Sequence, residues 1–216
     1  MLVRMVRRMR DPNFKAEQLS GKYQPHIEPV NRLVDELREA EPPVGRGWAP
    51  YVAPIHGGSE ARILSILRDP GPKTHKDTGS GMLCVENDDD SAALQCDLLS
   101  SADLTPWDLT PWNAYPWFRY DQSSGLTSPQ ITEGLDPLRR IVELMPALEV
   151  VLLQGGEAKT LWKRFARKEP HLAGRCAVVE TYHPGRTALR HPDPEVRKGR
   201  EERRYAAFLE ARQALR

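Results

Sequence analysis

Three polar residues in this sequence, Asp69, Asn113 and His183, each follow an apolar run of strand length. A carboxylate at such a point can face a bound ligand, and an amide offers a donor and an acceptor side by side, which suits reading a planar polar ring. An acid, an amide and an imidazole on one rim therefore indicate a site that recognises and reacts with such a ring. Taken singly, each residue also has an ordinary interpretation: Asp69 as a turn initiator, Asn113 as a turn residue or helix cap, and His183 as a structural histidine.

The run that ends at Asp69 predicts a buried central strand over 63–67, because it is strand-length, apolar and bounded by turn residues. In a parallel α/β sheet such a strand delivers its last residues to the carboxyl edge, where ligands bind. Pro70 and Pro72 fix the backbone after the strand, and Gly71 permits close approach to a ligand.

The rest of the chain alternates strands with helices, which predicts an α/β fold: a three-layer α/β/α sandwich around a four-stranded parallel sheet. Right-handed crossovers would place all four strand ends on one rim. The further strands are predicted at 107–110, 148–153 and 176–181, and helices at 27–40, after the acids 88–90, at 128–145, after Gly155-Gly156, and at 194–215. The apolar face of the last helix is expected to comprise Val196, Tyr205, Ala206, Phe208 and Leu209.

Composition limits the classes of function. The 216 residues suit one domain at 27–216 after a partly flexible N-terminal extension at 1–26, whose first ten residues read as a frayed start. A net charge of +1 means that any nucleic-acid affinity must come from a local basic face. Three cysteines exclude a four-thiolate zinc or iron–sulfur site within one chain and fit a reducing cytosol. No apolar run approaches the roughly 18 residues of a membrane span, so we expect no membrane partner. We also expect a cytoplasmic monomer.

A long loop over 73–87 separates the first strand from a run of three aspartates. Loops of this length in a compact domain are usually functional or disordered, and the lysines, histidine and glycines here favour a loop that covers a ligand. The triple Asp could bind a cation, but at a predicted helix start it favours N-terminal capping.

Three short motifs resemble, in order, those of the uracil-DNA glycosylase superfamily: Asp69-Pro70-Gly71-Pro72, Trp112-Asn113 and His183-Pro184-Gly185. The segment from Val151 to Ala158 also resembles the strand–glycine–helix unit that lies between the second and third motifs of that superfamily. The resemblance covers residues 51–190.

This resemblance implies a uracil-DNA glycosylase-like fold and a monofunctional DNA glycosylase of base excision repair that excises uracil or a related base. Such an enzyme extrudes the nucleotide from the stack and needs neither cofactor nor metal ion. By the resemblance, Asn113 reads the Watson–Crick edge of the base, and His183 donates to the base oxygen O2 as the leaving anion forms. Asp69 orients the attacking water and stabilises positive charge on the sugar.

The resemblance also implies the residues that surround these three. Arg68, Pro70 and Gly71 would line the base pocket. Leu189 or Arg190 is the candidate wedge in the duplex. The expected DNA-binding residues are Lys73, Lys76, Gly185, Arg186, Thr187, Leu189 and Arg190.

Two residues depart from the pattern of the superfamily. Met82 stands where its single-strand-selective branch has an aromatic residue that stacks on the base, so we expect Met82 to contact the base. Gly185 replaces a serine, and Thr187 is the hydroxyl that could substitute. The alternative is a catalytically inactive nucleic-acid or nucleotide-binding module on the same fold. An α/β hydrolase is disfavoured because the sequence has no Gly-x-Ser-x-Gly elbow.

Overall fold

A computed structural model describes residues 6–40 and 47–216, and within these ranges the chain is an α/β fold built on a four-stranded parallel sheet. Half of the segment predicted as a frayed start, residues 1–5, lies outside the described residues. The strands are β1 (Tyr51–Val52), β2 (Ile63–Leu67), β3 (Met82–Leu83), β4 (Leu109–Asn113), β5 (Val150–Gln154) and β6 (Ala177–Thr181). The main sheet has the order β4-β2-β5-β6, and β1 pairs in parallel with β3 in a separate two-stranded sheet.

Strand β2 lies inside the sheet because its side chains can be buried on both faces. Leu64 and Ile66 pack into one hydrophobic cluster, whereas Ile63 packs into a second cluster on the opposite face. This alternation follows from the two-residue period of a strand. The register pairs Leu67 with Asn113, so the end of β4 lies beside the end of β2.

Helices cover both faces of the sheet, as the alternation of strands and helices predicts. The cluster on one face includes residues of the second, fourth, fifth and sixth helices, and the cluster on the other includes residues of the third and eighth. The α-helices in the described ranges are α1 (Pro12–Ser20), α2 (Glu28–Glu39), α3 (Asp90–Ser101), α4 (Ser128–Glu133), α5 (Leu135–Glu143), α6 (Gly156–Lys168), α7 (Pro170–Ala173) and α8 (Pro194–Ala214).

The aspartate run before α3 is a helix cap, as predicted. The Asp89 carboxylate accepts hydrogen bonds from the backbone N–H groups of Ser91 and Ala92, both at 2.9 Å. These bonds satisfy donors that an α-helix leaves free at its start, which fixes where α3 begins.

The predicted position of the second sheet strand is wrong by a few residues. Pro106–Asp108 form a 3-10 turn, and β4 follows it, so that Asn113 is the last residue of the strand and not a residue beyond it. The turn is fixed by Asp108, whose carboxylate accepts from the backbone N–H and the hydroxyl of Thr105, both at 2.7 Å.

The single helix predicted over 128–145 is also wrong, because the chain forms α4 and α5 with a break at Gly134. Pro137 has no N–H to donate to the preceding turn, so a continuous helix would lose a hydrogen bond there. Gly134 fits the junction because a Cβ at this position would lie 1.9 Å from the carbonyl oxygen of Ala114.

Helix α8 buries a face that matches the predicted one only in part. Tyr205 is partly buried and packs against the same cluster as Phe208, as predicted. Phe208 is buried as expected, but Val196 and Leu209 are exposed. The buried positions on this helix also include Arg204, which sequence hydrophobicity could not assign to an inward face.

The N-terminal segment contributes an ordered helix, α1, that contacts the body of the fold. The side chain of Gln18 is buried, and its Oε1 accepts a hydrogen bond from the backbone N–H of Ile55 at 3.0 Å. Across residues 6–40 and 47–216, none of the helices combines the length and the hydropathy that crossing a lipid bilayer requires.

Candidate functional site

Asp69, Asn113 and His183 line one cavity of about 430 Å³. Asp69 lies two residues beyond β2, Asn113 ends β4, and His183 lies two residues beyond β6. The structure therefore brings together the three residues that the strand ends predict, from positions up to 114 residues apart. Cavities of roughly 300–1,000 Å³ at this edge of a parallel sheet are typical small-molecule sites.

Of the other residues predicted to contact the base, three line the cavity and one is buried in the core. Arg68, Pro70 and Gly71 line the cavity as expected. Met82 does not line it: this side chain is fully buried in a cluster with Met9 and Ala53. The residues of this loop that do line the cavity are Leu83, Cys84 and Val85.

The misplacement of Met82 has a simple geometric cause. Met82 and Leu83 form β3, and successive side chains of a strand point to opposite faces. With β3 paired to β1, Met82 faces the N-terminal cluster, and the next residue, Leu83, reaches the cavity. In this loop the side chain that could contact a base in place of Met82 is thus the aliphatic Leu83.

The Asp69 carboxylate is held by two arginines. Arg68 Nε donates to its Oδ1 at 2.5 Å, and Arg119 Nε donates to its Oδ2 at 2.7 Å. The Asp69 side chain is 2% exposed, so these ion pairs form largely out of water, where charge-assisted hydrogen bonds are strong. The carboxylate is thereby fixed in orientation, and each oxygen keeps a further lone pair for another donor.

Arg119 belongs to a segment that is anchored over the turn after β2. Its Nη2 donates to the carbonyl of Ser124 at 2.9 Å, and its Nη1 donates to that of Gly125 at 3.3 Å. Gln122 Nε2 donates to the carbonyl of Pro70 at 2.7 Å. Sequence reasoning missed both residues, because their contacts with the Asp69 turn span about 50 positions and no local pattern marks them.

Asn113 presents an amide that the protein leaves partly unsatisfied. The residue is 2% exposed, and its Nδ2 finds no hydrogen-bond partner in the described part of the chain. A buried amide nitrogen without a partner costs free energy, commonly about 1–3 kcal/mol. Because Asn113 lines the cavity, a ligand with a carbonyl acceptor placed against this residue would remove that cost.

The surroundings of the His183 imidazole make it a neutral hydrogen-bond donor. The backbone N–H of Gly185 donates to its Nδ1 at 2.9 Å, so in the neutral ring the proton lies on Nε2. Burial, together with the nearby cations of Arg68 and Arg204, lowers the pKa of His183 to about 4, against the opposing effect of Asp69. At pH 7 the ring is therefore uncharged and carries an N–H that can be donated.

Helix α8 supports the backbone of the His183 loop. Arg204 is buried, and its Nη2 donates to the carbonyls of His183 and Gly185, the latter at 2.9 Å. Gly185 lies so close to the ring that a Cβ there would be 3.0 Å from His183 Nδ1. The glycine at the position of the expected serine thus allows the loop to cap the imidazole.

The cavity wall contains a second amide that sequence reasoning missed. Asn87 Nδ2 donates to the carbonyl of Met82 at 2.9 Å, whereas its Oδ1 is buried and has no partner within residues 6–40 and 47–216. Beside it, Gln95 accepts from Gln154 Nε2 at 3.0 Å, and the same nitrogen lies 2.8 Å from the Ser65 hydroxyl. This network joins α3 to β2 and β5 beneath the site.

The predicted DNA-binding residues lie mainly at the surface. Lys73 lies at the cavity wall and is exposed, and Arg186 extends across to α3, where its Nη2 lies 2.8 Å from Asp90 Oδ2. Gly185 and Leu189 are partly exposed, and the remaining members of the set, Lys76, Thr187 and Arg190, are exposed.

Groups suited to other chemistries do not assemble around the cavity. Burial raises the pKa of the Cys84 thiol, so this cavity-lining cysteine stays protonated and is a poor nucleophile. Among the side chains that the structure describes, no group of three or more His, Cys, Asp or Glu residues is placed to hold a metal ion.

No protein-family model matches this chain, and no curated protein matches it either.

Proposed function

We propose that this protein is a monofunctional DNA glycosylase with a uracil-DNA glycosylase-like fold, which hydrolyses the N-glycosidic bond of uracil or a related base. The observation that carries the proposal is the meeting of a fixed carboxylate, an unsatisfied amide and a neutral imidazole in one cavity. Each of the three has the chemical character that this reaction requires.

Asn113 and His183 would act on the base. The free Nδ2 of Asn113 donates to a carbonyl oxygen on the Watson–Crick edge of a flipped pyrimidine. The Nε2–H of His183 donates to the oxygen on which negative charge grows as the glycosidic bond breaks. A donor fixed before the reaction needs no reorganisation, which is the source of oxyanion stabilisation.

Asp69 would act on the sugar and the attacking water. Its two arginine contacts fix the orientation of the carboxylate, so it can stabilise positive charge at the sugar carbon and accept a hydrogen bond from water through a remaining lone pair. Hydrolysis by water leaves an abasic site without a covalent enzyme intermediate.

The same arginine contacts favour a second candidate, a catalytically inactive nucleic-acid or nucleotide-binding module. Both Asp69 oxygens already accept a hydrogen bond from an arginine, which leaves the carboxylate fewer lone pairs for a water molecule. In this alternative the cavity binds a base without cleaving its bond.

The test uses single- and double-stranded oligonucleotides that contain one uracil, followed by alkali to cleave abasic sites. Strand scission by the wild type that falls at least 100-fold in Asp69→Asn and His183→Ala, but not in the surface variant Arg139→Ala, supports the glycosylase. Binding without scission in the wild type supports the alternative.

Asn113→Asp tests base recognition. The aspartate lacks the N–H donors of the amide, so excision of uracil should fall at least 10-fold. Unchanged excision would remove Asn113 from the site.

Borohydride treatment during the reaction should trap no protein–DNA adduct, since an adduct would indicate a Schiff base with Lys73, which lies at the cavity wall.

A further inference from the structure

Next to the cavity lies a surface cluster of four rings, Trp48, His75, Phe118 and Tyr120, which we call the aromatic ladder. The His75 and Phe118 ring centroids are 4.8 Å apart, and Tyr120 lies 5.5 Å from Phe118 and 5.9 Å from His75. Trp48 completes the cluster at 6.0 Å from His75 and 6.3 Å from Phe118. These edge-on and tilted contacts are the favourable geometries for aromatic pairs.

The outermost ring of the ladder is almost entirely in solvent. Tyr120 is 84% exposed, although its edge is supported by two other rings. The lower rings of the ladder support it without covering its outer surface. A supported but uncovered ring of this kind offers stacking area to a planar partner.

The ladder is continuous with the candidate site through two short segments. Phe118 and Tyr120 flank Arg119, whose side chain contacts Asp69. On the opposite side, His75 follows Lys73 and Thr74, both of which line the cavity. A DNA strand with one nucleotide bound in the cavity would therefore have the ladder as a neighbouring surface.

Charge on this surface is mixed, which argues for stacking over phosphate attraction. The exposed Lys73 and Lys76 supply two cations, and the half-buried Arg38, whose guanidinium carbon lies 5.3 Å from the Trp48 ring centroid, supplies a third. Asp77, which is 70% exposed and lies beside His75, and Asp121, next to Tyr120, oppose them. With little net charge, the affinity of this surface for a nucleic acid would come from its rings.

We propose that the aromatic ladder, through Tyr120, stacks an unpaired base of single-stranded DNA that neighbours the nucleotide in the cavity. This inference rests on the proposed glycosylase function and specifies its substrate as single-stranded. In a duplex the faces of the neighbouring bases are occupied by their own stack, so only an unpaired strand can use the ladder.

The experiment compares Tyr120→Ala with Tyr120→Phe and with Trp107→Ala, an exposed aromatic that contacts His26 and lies outside the ladder. Fluorescence anisotropy measures the Kd of each variant for an oligothymidylate without uracil and for a thymine–adenine duplex of the same length. Tyr120→Ala should raise the single-strand Kd about 5-fold or more. Tyr120→Phe and Trp107→Ala should stay within 2-fold of the wild type, as should duplex binding by all the variants.

The outcomes separate this inference from the proposed function. If the wild type excises uracil and Tyr120→Ala binds single strands normally, the stacking role of the ladder is overturned and the glycosylase proposal stands. A wild type without excision, in which Tyr120→Ala still weakens single-strand binding, keeps the ladder and overturns the glycosylase. Equal weakening for single strand and duplex, or no single-strand binding by the wild type, overturns the ladder.

Discussion

At the scale of single residues, the site depends on how three polar side chains are restrained. His183 is fixed in one tautomer by the N–H of Gly185, and Asp69 is fixed by ion pairs on both of its oxygens. Asn113, by contrast, keeps an unsatisfied nitrogen. Two groups that would act on growing charge are thus held in place, and the group that would read the base lacks a protein partner for its nitrogen.

The first prediction concerns the titration of His183. Because its pKa is lowered to about 4, the ring should be neutral throughout pH 5–8 and become charged only as the pH falls through about 4. NMR of the imidazole nitrogens should show this titration, and the excision rate should lack an inflection near pH 6.5 from this group. A measured pKa of 6 or above would contradict the neutral-donor role.

The second prediction concerns Arg119. Arg119→Ala frees Asp69 Oδ2 and loosens the segment that Arg119 anchors, so kcat for excision should fall about 10-fold or more with a smaller change in KM. Single-turnover kinetics measures the effect. Arg139→Ala is the matched control, because Arg139 also pairs with two positions, Asp136 and Glu143, but lies on the exposed surface of α5. Equal activity of the two variants would show that Arg119 does not position the carboxylate.

At the scale of elements, the strand ends position the predicted site residues. The loops and α8 position the residues that the sequence did not predict correctly. Apolar runs of strand length that end in Asp, Pro or Gly were enough to predict the parallel sheet and the meeting of Asp69 and His183. Met82 was misplaced because the two-residue β3 decides which side chain faces the cavity, and one residue of register exchanges Met82 for Leu83. Arg119 and Arg204 could not be found from sequence, since each acts through contacts with distant backbone or side-chain groups.

The third prediction tests the support that α8 gives to the His183 loop. Arg204→Met removes donors to the carbonyls of His183 and Gly185 and also removes a cation that lowers the pKa of His183. Since burial, the largest cause of the lowering, remains, the pKa of His183 measured by NMR should rise only part of the way toward its ordinary value of about 6.5. In steady-state kinetics kcat should fall, with KM changing less.

The control for this variant is Arg200→Met. Arg200 Nη1 donates to the carbonyls of Ala188 and Arg190, at 3.0 and 3.1 Å, farther along the same loop. It does not contact the backbone of the histidine. If both variants shift the His183 pKa equally, Arg204 acts on overall loop order and not on the imidazole.

At the scale of the whole molecule, the small net charge leaves affinity for DNA to local groups. The chain carries 31 basic and 30 acidic residues, so long-range attraction to a polyanion is weak. Arg190 and Lys76 are exposed cations on different loops near the site, whereas Arg186 is paired with Asp90. Phosphate contacts should accordingly be few.

The fourth prediction is a shallow salt dependence of DNA binding. Log Kd for a uracil-containing single strand should rise linearly with log salt concentration, and Arg190→Ala should reduce that slope by about 1. Lys198→Ala, which removes an exposed cation near Glu202 on α8, should leave the slope unchanged. A wild-type binding constant that is independent of salt would argue against a DNA substrate.

The spread of the site over the sheet has a consequence for folding. The cavity has walls from β2, β4 and the loop after β6, so no fragment that stops short of residue 183 can form it. Binding of a ligand in the cavity should therefore stabilise the whole fold and not one local segment. A ligand present at 100 times its Kd should add about 2.7 kcal/mol to the free energy of unfolding. Under native conditions, amide protons in β5 should then exchange more slowly when the ligand is bound, although no residue of this interior strand lines the cavity.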